Sequence, residues 1–167
     1  MIERQKKILQ LFDTSGAYLH RLLARLTRRE DVVGDLLQEL FIRLSNSKGF
    51  DKAKDPFAYA YRAAINLAFE WRRRQQIRCQ PLEGNCPVRQ DNSSALGKMI
   101  HAEELEQVLD ATSKLTDLAR DVVVMRYIEQ NSYEEIAQRV GKEPQYMRSV
   151  CAKAMAQLRE LVASEKV

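Results

Sequence analysis

Five polar side chains near the end of the chain, Gln145, Tyr146, Arg148, Ser149 and Lys153, are of the types and spacing that read nucleic acid. Amides, hydroxyls and guanidinium groups hydrogen-bond base edges, while cations and phenols meet phosphate or a thymine methyl. On a helix from about Pro144 to Leu161 these five share one side with Ala152. Met147, Val150, Cys151, Ala154, Leu158 and Leu161 take the other. Such a helix needs a scaffold, and the preceding residues supply one. Ser132 and Glu135 form an S-x-x-E capping box that starts a helix reaching Val140, with Ile136, Ala137 and Val140 as its apolar face. Gly141 can end that helix in the left-handed conformation. Pro144 suits the first turn of the next, where its missing N–H has no intrahelical partner to lose. A helix, a tight turn and a second helix make up the unit that lays its second helix in the DNA major groove. A plain helical hairpin has the same pattern, so this segment alone leaves DNA binding and ordinary packing both open.

Catalytic and metal chemistry find no comparable constellation. There is no glycine-rich phosphate loop and no nucleophile–base pair. His20 and His101 lie far in sequence from Cys79, Cys86 and Cys151, so no metal site, cofactor or enzymatic activity is expected. Three cysteines, an odd number, argue against a disulfide framework. Cys79 and Cys86 fall in a loop, where exposed thiols are ordinarily incidental.

The elements that must position these groups are helices throughout. The 167 residues are 45% hydrophobic and 30% charged, with 6 Gly and 4 Pro, a helix-rich composition with few breakers. The expected fold is all-α: two small helical domains, 1–77 and 99–167, joined by a flexible linker over 78–98. Pro81, Gly84, Pro87, Asn92, Ser93, Ser94 and Gly97 interrupt apolar periodicity in that linker. The first domain reads as about four helices. One spans roughly Arg4 to Leu26 and a second roughly Asp31 to Ser45, with a stripe of Val33, Leu36, Leu37, Leu40, Phe41 and Leu44. A loop over Asn46–Lys54 follows, and then a helix that Asp55 caps and Pro56 opens, running to about Gln76. In the second domain one helix spans about Lys98 to Ser113, and another, capped by Thr116, spans Asp117 to Glu129. No apolar run approaches a membrane span, and Met1 to Phe12 lacks the apolar core of a signal peptide, so a cytoplasmic protein is expected.

Charge is divided unevenly. Residues 1–77 hold 15 Lys and Arg against 9 Asp and Glu, whereas 99–167 hold 9 against 12. Salt-sensitive, sequence-independent affinity for nucleic acid therefore belongs mainly to the first domain.

Three segments together resemble the bacterial sigma factors, the promoter-specificity subunits of RNA polymerase. In Asp31 to Leu44, DVVGDLLQELFIRL, Asp35, Gln38 and Glu39 match the polar stretch that docks a sigma factor onto core polymerase, with Phe41 and Arg43 in frame. The i, i+3, i+4 spacing places Asp35, Gln38 and Glu39 together, although such a patch seen alone is also an ordinary solvated face. Asp55 to Arg74 is similar to the family's promoter-melting helix. Phe57, Tyr59, Tyr61, Arg62, Asn66, Glu70 and Arg73 fall in order, with Tyr59, Ala60 and Glu70 where Trp, Leu and Asp are usual. Leu115 to Leu161 matches the domain for the upstream element, less closely in its last helix, where Glu143 replaces a capping Ser and Val150 and Lys153 replace frequent arginines.

Without the extra domains of the large housekeeping sigmas, the chain resembles the small extracytoplasmic-function group. That resemblance implies core RNA polymerase and promoter DNA, duplex and melted, as partners, and leaves room for an anti-sigma protein. It implies minus-ten contacts by Lys52, Lys54, Tyr59, Arg62, Asn66, Trp71, Arg72, Arg73 and Arg74, and minus-thirty-five contacts by Gln145, Tyr146, Arg148, Ser149 and Lys153. Melted DNA needs cations along a backbone and aromatic or amide groups for splayed bases, which these residue types supply. Two other readings stay open at this level: a helix-turn-helix regulator that works without polymerase, and a helical adaptor with no role on DNA.

Overall fold

A computed structural model describes residues 2–78 and 96–166, the side chains of 96–100 excepted. Residues 79–95 of the expected linker, with Cys79 and Cys86, lie outside the described residues. Every element among the described residues is helical. The chain divides into two compact units, 1–71 and 72–167, the second taking in the last turns of a helix that begins in the first.

The first unit opens with α1, Ile2–Thr27, which buries Ile8, Leu11, Leu19, Leu22, Leu23 and Leu26. Arg28 ends it with φ 56, its N–H donating to the Ala24 carbonyl at 2.8 Å. A 3-10 turn over Glu30–Val32 leads into α2, Val33–Asn46, which buries Val33, Leu36, Leu40 and Leu44. Both helices carry apolar residues at helical spacing, and each such leucine contributes about 1.5–3 kcal/mol when fully buried. The expected Asn46–Lys54 loop contains a short helix, α3, Lys48–Lys52. Ser47 caps it by accepting from the Phe50 N–H, and the buried Phe50 ring anchors it.

Helix α4, Pro56–Arg78, opens as its sequence indicates, with Asp55 Oδ1 accepting from the Ala58 N–H at 3.1 Å. Ala58, Ala60, Tyr61, Ala64, Ile65, Leu67, Ala68 and Phe69 are all buried along it. One stripe of polar side chains along it is left outward.

In the second unit α5, Leu96–Thr112, is followed by α6, Asp117–Val123. Thr116 precedes α6 in extended conformation but makes no side-chain cap bond, so the expected cap is one of backbone shape alone. The helical path then widens into a π turn, Val124–Ile128, where the Glu129 N–H reaches back to the Val124 carbonyl at 3.0 Å. Ala111, Leu115, Ala119, Val123, Ala154 and Leu158 form the core of this unit, with Val150, Met155, Leu161 and Val162 packed against it. Helix α7, Tyr133–Val140, has the full capping box between Ser132 and Glu135. Gly141 ends it with φ 76 and ψ 37, and α8, Pro144–Glu165, begins with proline in its first turn. Met147, Cys151, Ala154 and Leu158 are the buried side of α8.

Candidate docking and nucleic-acid interfaces

At 100° per residue Asp35, Gln38, Glu39 and Ile42 share one face of α2. Asp35 and Gln38 are exposed, Glu39 is half-buried, and Ile42 keeps 58% of its surface in solvent. Ile42 was not singled out in the sequence, although its distance of seven residues from Asp35 carries the signal. The other two residues matched to the docking stretch look sideways. Phe41 is half-buried, its ring 5.8 Å from that of Phe12 in a T-shaped contact. Arg43 Nη2 lies 2.5 Å from Glu39 Oε1 and 2.7 Å from Glu70 Oε2. These bonds, Glu70's first, hold the Arg43 guanidinium above its ordinary value despite partial burial. Arg43 therefore braces the Glu39 carboxylate and links α2 to α4.

Along α4, Tyr59, Arg62, Ala63, Asn66, Glu70 and Arg73 follow one another at helical spacing, none of them fully buried. Tyr59 carries the stripe onto the α3 loop. Its hydroxyl lies 2.7 Å from Ser47 Oγ, and its ring is 5.9 Å from that of Phe50, edge to face. A Cβ at Gly49 would come within 2.8 Å of the Tyr59 hydroxyl oxygen, so glycine is what lets the phenol lie here. Arg4 holds the loop from α1, pairing with Asp51 and donating to the Ser45 carbonyl at 2.7 Å. Lys52 and Lys54 are exposed on the same loop. Phe57 is half-buried and packs against Tyr18, ring centroids 5.6 Å apart, while Phe69 is a core residue.

Not all of the cations and aromatics expected for the minus-ten surface lie on this stripe. Trp71 is half-buried about 120° around the helix from Tyr59. Arg74 is exposed off the stripe, and Arg73, on it, donates to the Ser113 carbonyl at 3.1 Å. Arg72 requires a correction. It is 1% exposed, and its Nη2 lies 2.6 Å from Glu106 Oε2 and 2.7 Å from Asp110 Oδ1. Burial lowers its pKa from the ordinary value, and Asp110 opposes that shift. A guanidinium enclosed in this way by two carboxylates is a fold residue and is not offered to a phosphate. The sequence could not show it, because both partners lie more than thirty residues away.

On α8 the side opposite the core is solvent-facing: Gln145, Tyr146, Arg148, Ser149, Ala152 and Lys153 are all exposed. Glu143 precedes the helix without a side-chain cap bond. A second buried ion pair, Arg120 Nη2 to Asp121 Oδ1 at 3.0 Å, lies within α6. Among the described residues no group of His, Cys, Asp or Glu could hold a metal ion.

Comparison with known proteins agrees with this two-part layout. Residues 11–77 match the family profile described as Sigma-70 region 2, and residues 105–158 match Sigma-70, region 4. The RNA polymerase sigma-E factor of Streptomyces antibioticus is 32% identical over 127 residues, covering 75% of this chain and 68% of that protein. The chain belongs to the extracytoplasmic-function sigma factors. The sigma-E factor of Streptomyces avermitilis is 31% identical over 131 residues, covering 78% of this chain and 70% of that one. SigX of Bacillus subtilis, an ECF RNA polymerase sigma factor, is 26% identical over 133 residues, 76% of this chain and 69% of its own. CnrH, solved in complex with the cytosolic domain of CnrY, shares the fold with a TM-score of 0.50 and 19% identity, over 96% of this chain and 90% of that one.

This sigma factor is accordingly a promoter-specificity subunit that binds core RNA polymerase and promoter DNA. Sigma factors are initiation factors and not enzymes. Membership of the family sets aside both the polymerase-independent regulator and the adaptor without a DNA role. Among the described residues no helix is long and apolar enough to cross a membrane.

Proposed function

We propose that this sigma factor docks core polymerase through Asp35, Gln38, Glu39 and Ile42, with Phe41 and Arg43 bracing that face from either side. The observation that carries this reading is the α2 surface itself. It sets two exposed polar side chains and a braced carboxylate around an exposed isoleucine. An apolar centre with a polar rim is the usual makeup of a protein interface.

The minus-ten element is met by Tyr59, Arg62, Asn66 and Arg73 on α4, with Lys52 and Lys54 on the loop and Trp71 and Arg74 flanking. Asn66 offers both a donor and an acceptor to a splayed base. The minus-thirty-five element is read by Gln145, Tyr146, Arg148, Ser149 and Lys153 on α8. The working division is a docking and melting domain over 1–77, a linker over 78–98 and an upstream-element domain over 99–167. The protein recruits the catalyst without catalysing, and works in the cytoplasm beside core polymerase. An anti-sigma protein is a further proposed partner. CnrH, whose fold this chain shares, was solved with a protein partner of its own.

The test is affinity for core polymerase. Replacing Gln38 and Glu39 together by alanine is expected to weaken binding roughly 30-fold or more, as loss of about 2 kcal/mol at an interface centre does, with helicity unchanged. Unchanged affinity with normal helicity refutes the docking assignment.

A further inference from the structure

On the reading face of α8, Arg148 is held from behind by α7. Its Cζ is 5.3 Å from the Tyr133 ring centroid, and its Nη2 lies 3.2 Å from Glu134 Oε1. Its Nη1 donates to Gln145 Oε1 at 3.4 Å. The ring that carries it is itself fixed. Arg126 Cζ lies 4.5 Å from the same centroid, and Arg126 donates to the Asn131 carbonyl at 3.1 Å. On the core side the Cys151 sulfur, able to accept from the Tyr133 phenol, raises the phenol's pKa, with burial adding to the shift. Tyr133 is thus a platform set by the π turn and by the buried side of α8, with Arg148 resting against it.

A free arginine samples many rotamers and loses that freedom when it binds. One already stacked on an aromatic ring and tied to a carboxylate loses less, and points one way. We propose that Tyr133 and Glu134 are positioning residues that aim Arg148 at one base of the minus-thirty-five element and set the preference there. The guanidinium fork suits a base edge that presents two acceptors, as guanine does in the major groove. Because Gln145 spends its carbonyl oxygen on Arg148, its amide N–H₂ is left to donate outward. Glu134 and Tyr133 need not touch DNA. Their effect passes through the direction of one side chain.

The inference rests on the proposed reading of α8 as the upstream-element helix, and one experiment separates the two. Holoenzyme affinity is measured on promoter fragments carrying every single substitution in the minus-thirty-five element. The proteins compared are the parent, Arg148→Ala, Tyr133→Leu, Tyr133→Phe and Glu134→Gln. Arg148→Ala is expected to flatten the preference at one position. Tyr133→Leu should lower the preference at that same position about three- to five-fold, the equivalent of an exposed cation–π contact, and Tyr133→Phe should restore it. Glu134→Gln, at an exposed residue whose change does not threaten folding, should loosen the same position and no other. If Arg148→Ala leaves every preference intact, the α8 reading falls and the positioning role falls with it. If Arg148→Ala flattens one position while Tyr133→Leu and Glu134→Gln keep it in full, the positioning role alone is overturned.

Discussion

Arg72→Met tests whether the buried guanidinium belongs to the fold. The Arg72 side chain is fully enclosed, while Glu106 and Asp110 keep 18% and 30% of their side-chain surface in solvent. Removing one partner of a fully buried pair costs about 3–5 kcal/mol, because the charge left behind has no compensation. Here the carboxylates can turn toward water, and methionine fills much of the vacated volume, so a loss of about 2 kcal/mol is expected. Near 60–100 residues each kcal/mol moves the melting temperature about 4–8 °C, so the transition should fall by roughly 8–16 °C. Urea denaturation followed by far-ultraviolet circular dichroism measures the free energy, and a thermal scan the midpoint. The triple variant Arg72→Met, Glu106→Gln, Asp110→Asn should recover at least half the loss, since it leaves no unpaired charge. Arg74→Ala, at an exposed position, should stay within about 0.5 kcal/mol of the parent. Arg72→Met within that same margin would refute the structural role. A triple variant no better than the single would place the loss in packing.

Gly49→Ala should push the Tyr59 hydroxyl off Ser47 and behave like Tyr59→Phe. Both should lose about 1 kcal/mol, one hydrogen bond's worth, and melt promoters less well, read as permanganate reactivity of minus-ten thymines. Ser132→Ala removes the Glu135 N–H to Ser132 Oγ bond of the α7 capping box and should cost about 1 kcal/mol by urea denaturation. Gly141→Ala meets no atom within 4 Å, so only its left-handed backbone resists, at about 1–2 kcal/mol.

The parts of this protein that were legible in sequence are those whose cause is local. The capping box at Ser132, the left-handed Gly141 and the proline opening α8 each involve residues within a few positions of one another, and the exposed face of α8 followed from its period. The same holds for the α2 stripe and for Asp55 at the start of α4. What stayed hidden depends on distant partners. Nothing between Trp71 and Gln76 marks Arg72 as the buried member of a basic run, because Glu106 and Asp110 become its neighbours only after folding. Helix α3 is too short for periodicity to register, although Ser47 could have suggested it. Thr116 stands at the start of α6 as its residue type indicates, but its hydroxyl makes no cap bond, so only the backbone part of the cap is present.

The π turn at Val124–Ile128 has a bearing on chain length. A π turn holds one residue more than an α turn over the same path, so the chain here carries a surplus residue. Deleting one would let α6 continue as ordinary helix, at little expense in hydrogen bonding. Because the path is kept, residues beyond the turn would hold their facing, and only side chains within it, Arg126 among them, would shift relative to the Tyr133 ring. Length at this turn is therefore a coordinate along which the fold can be kept while the support beneath the Tyr133 ring is retuned.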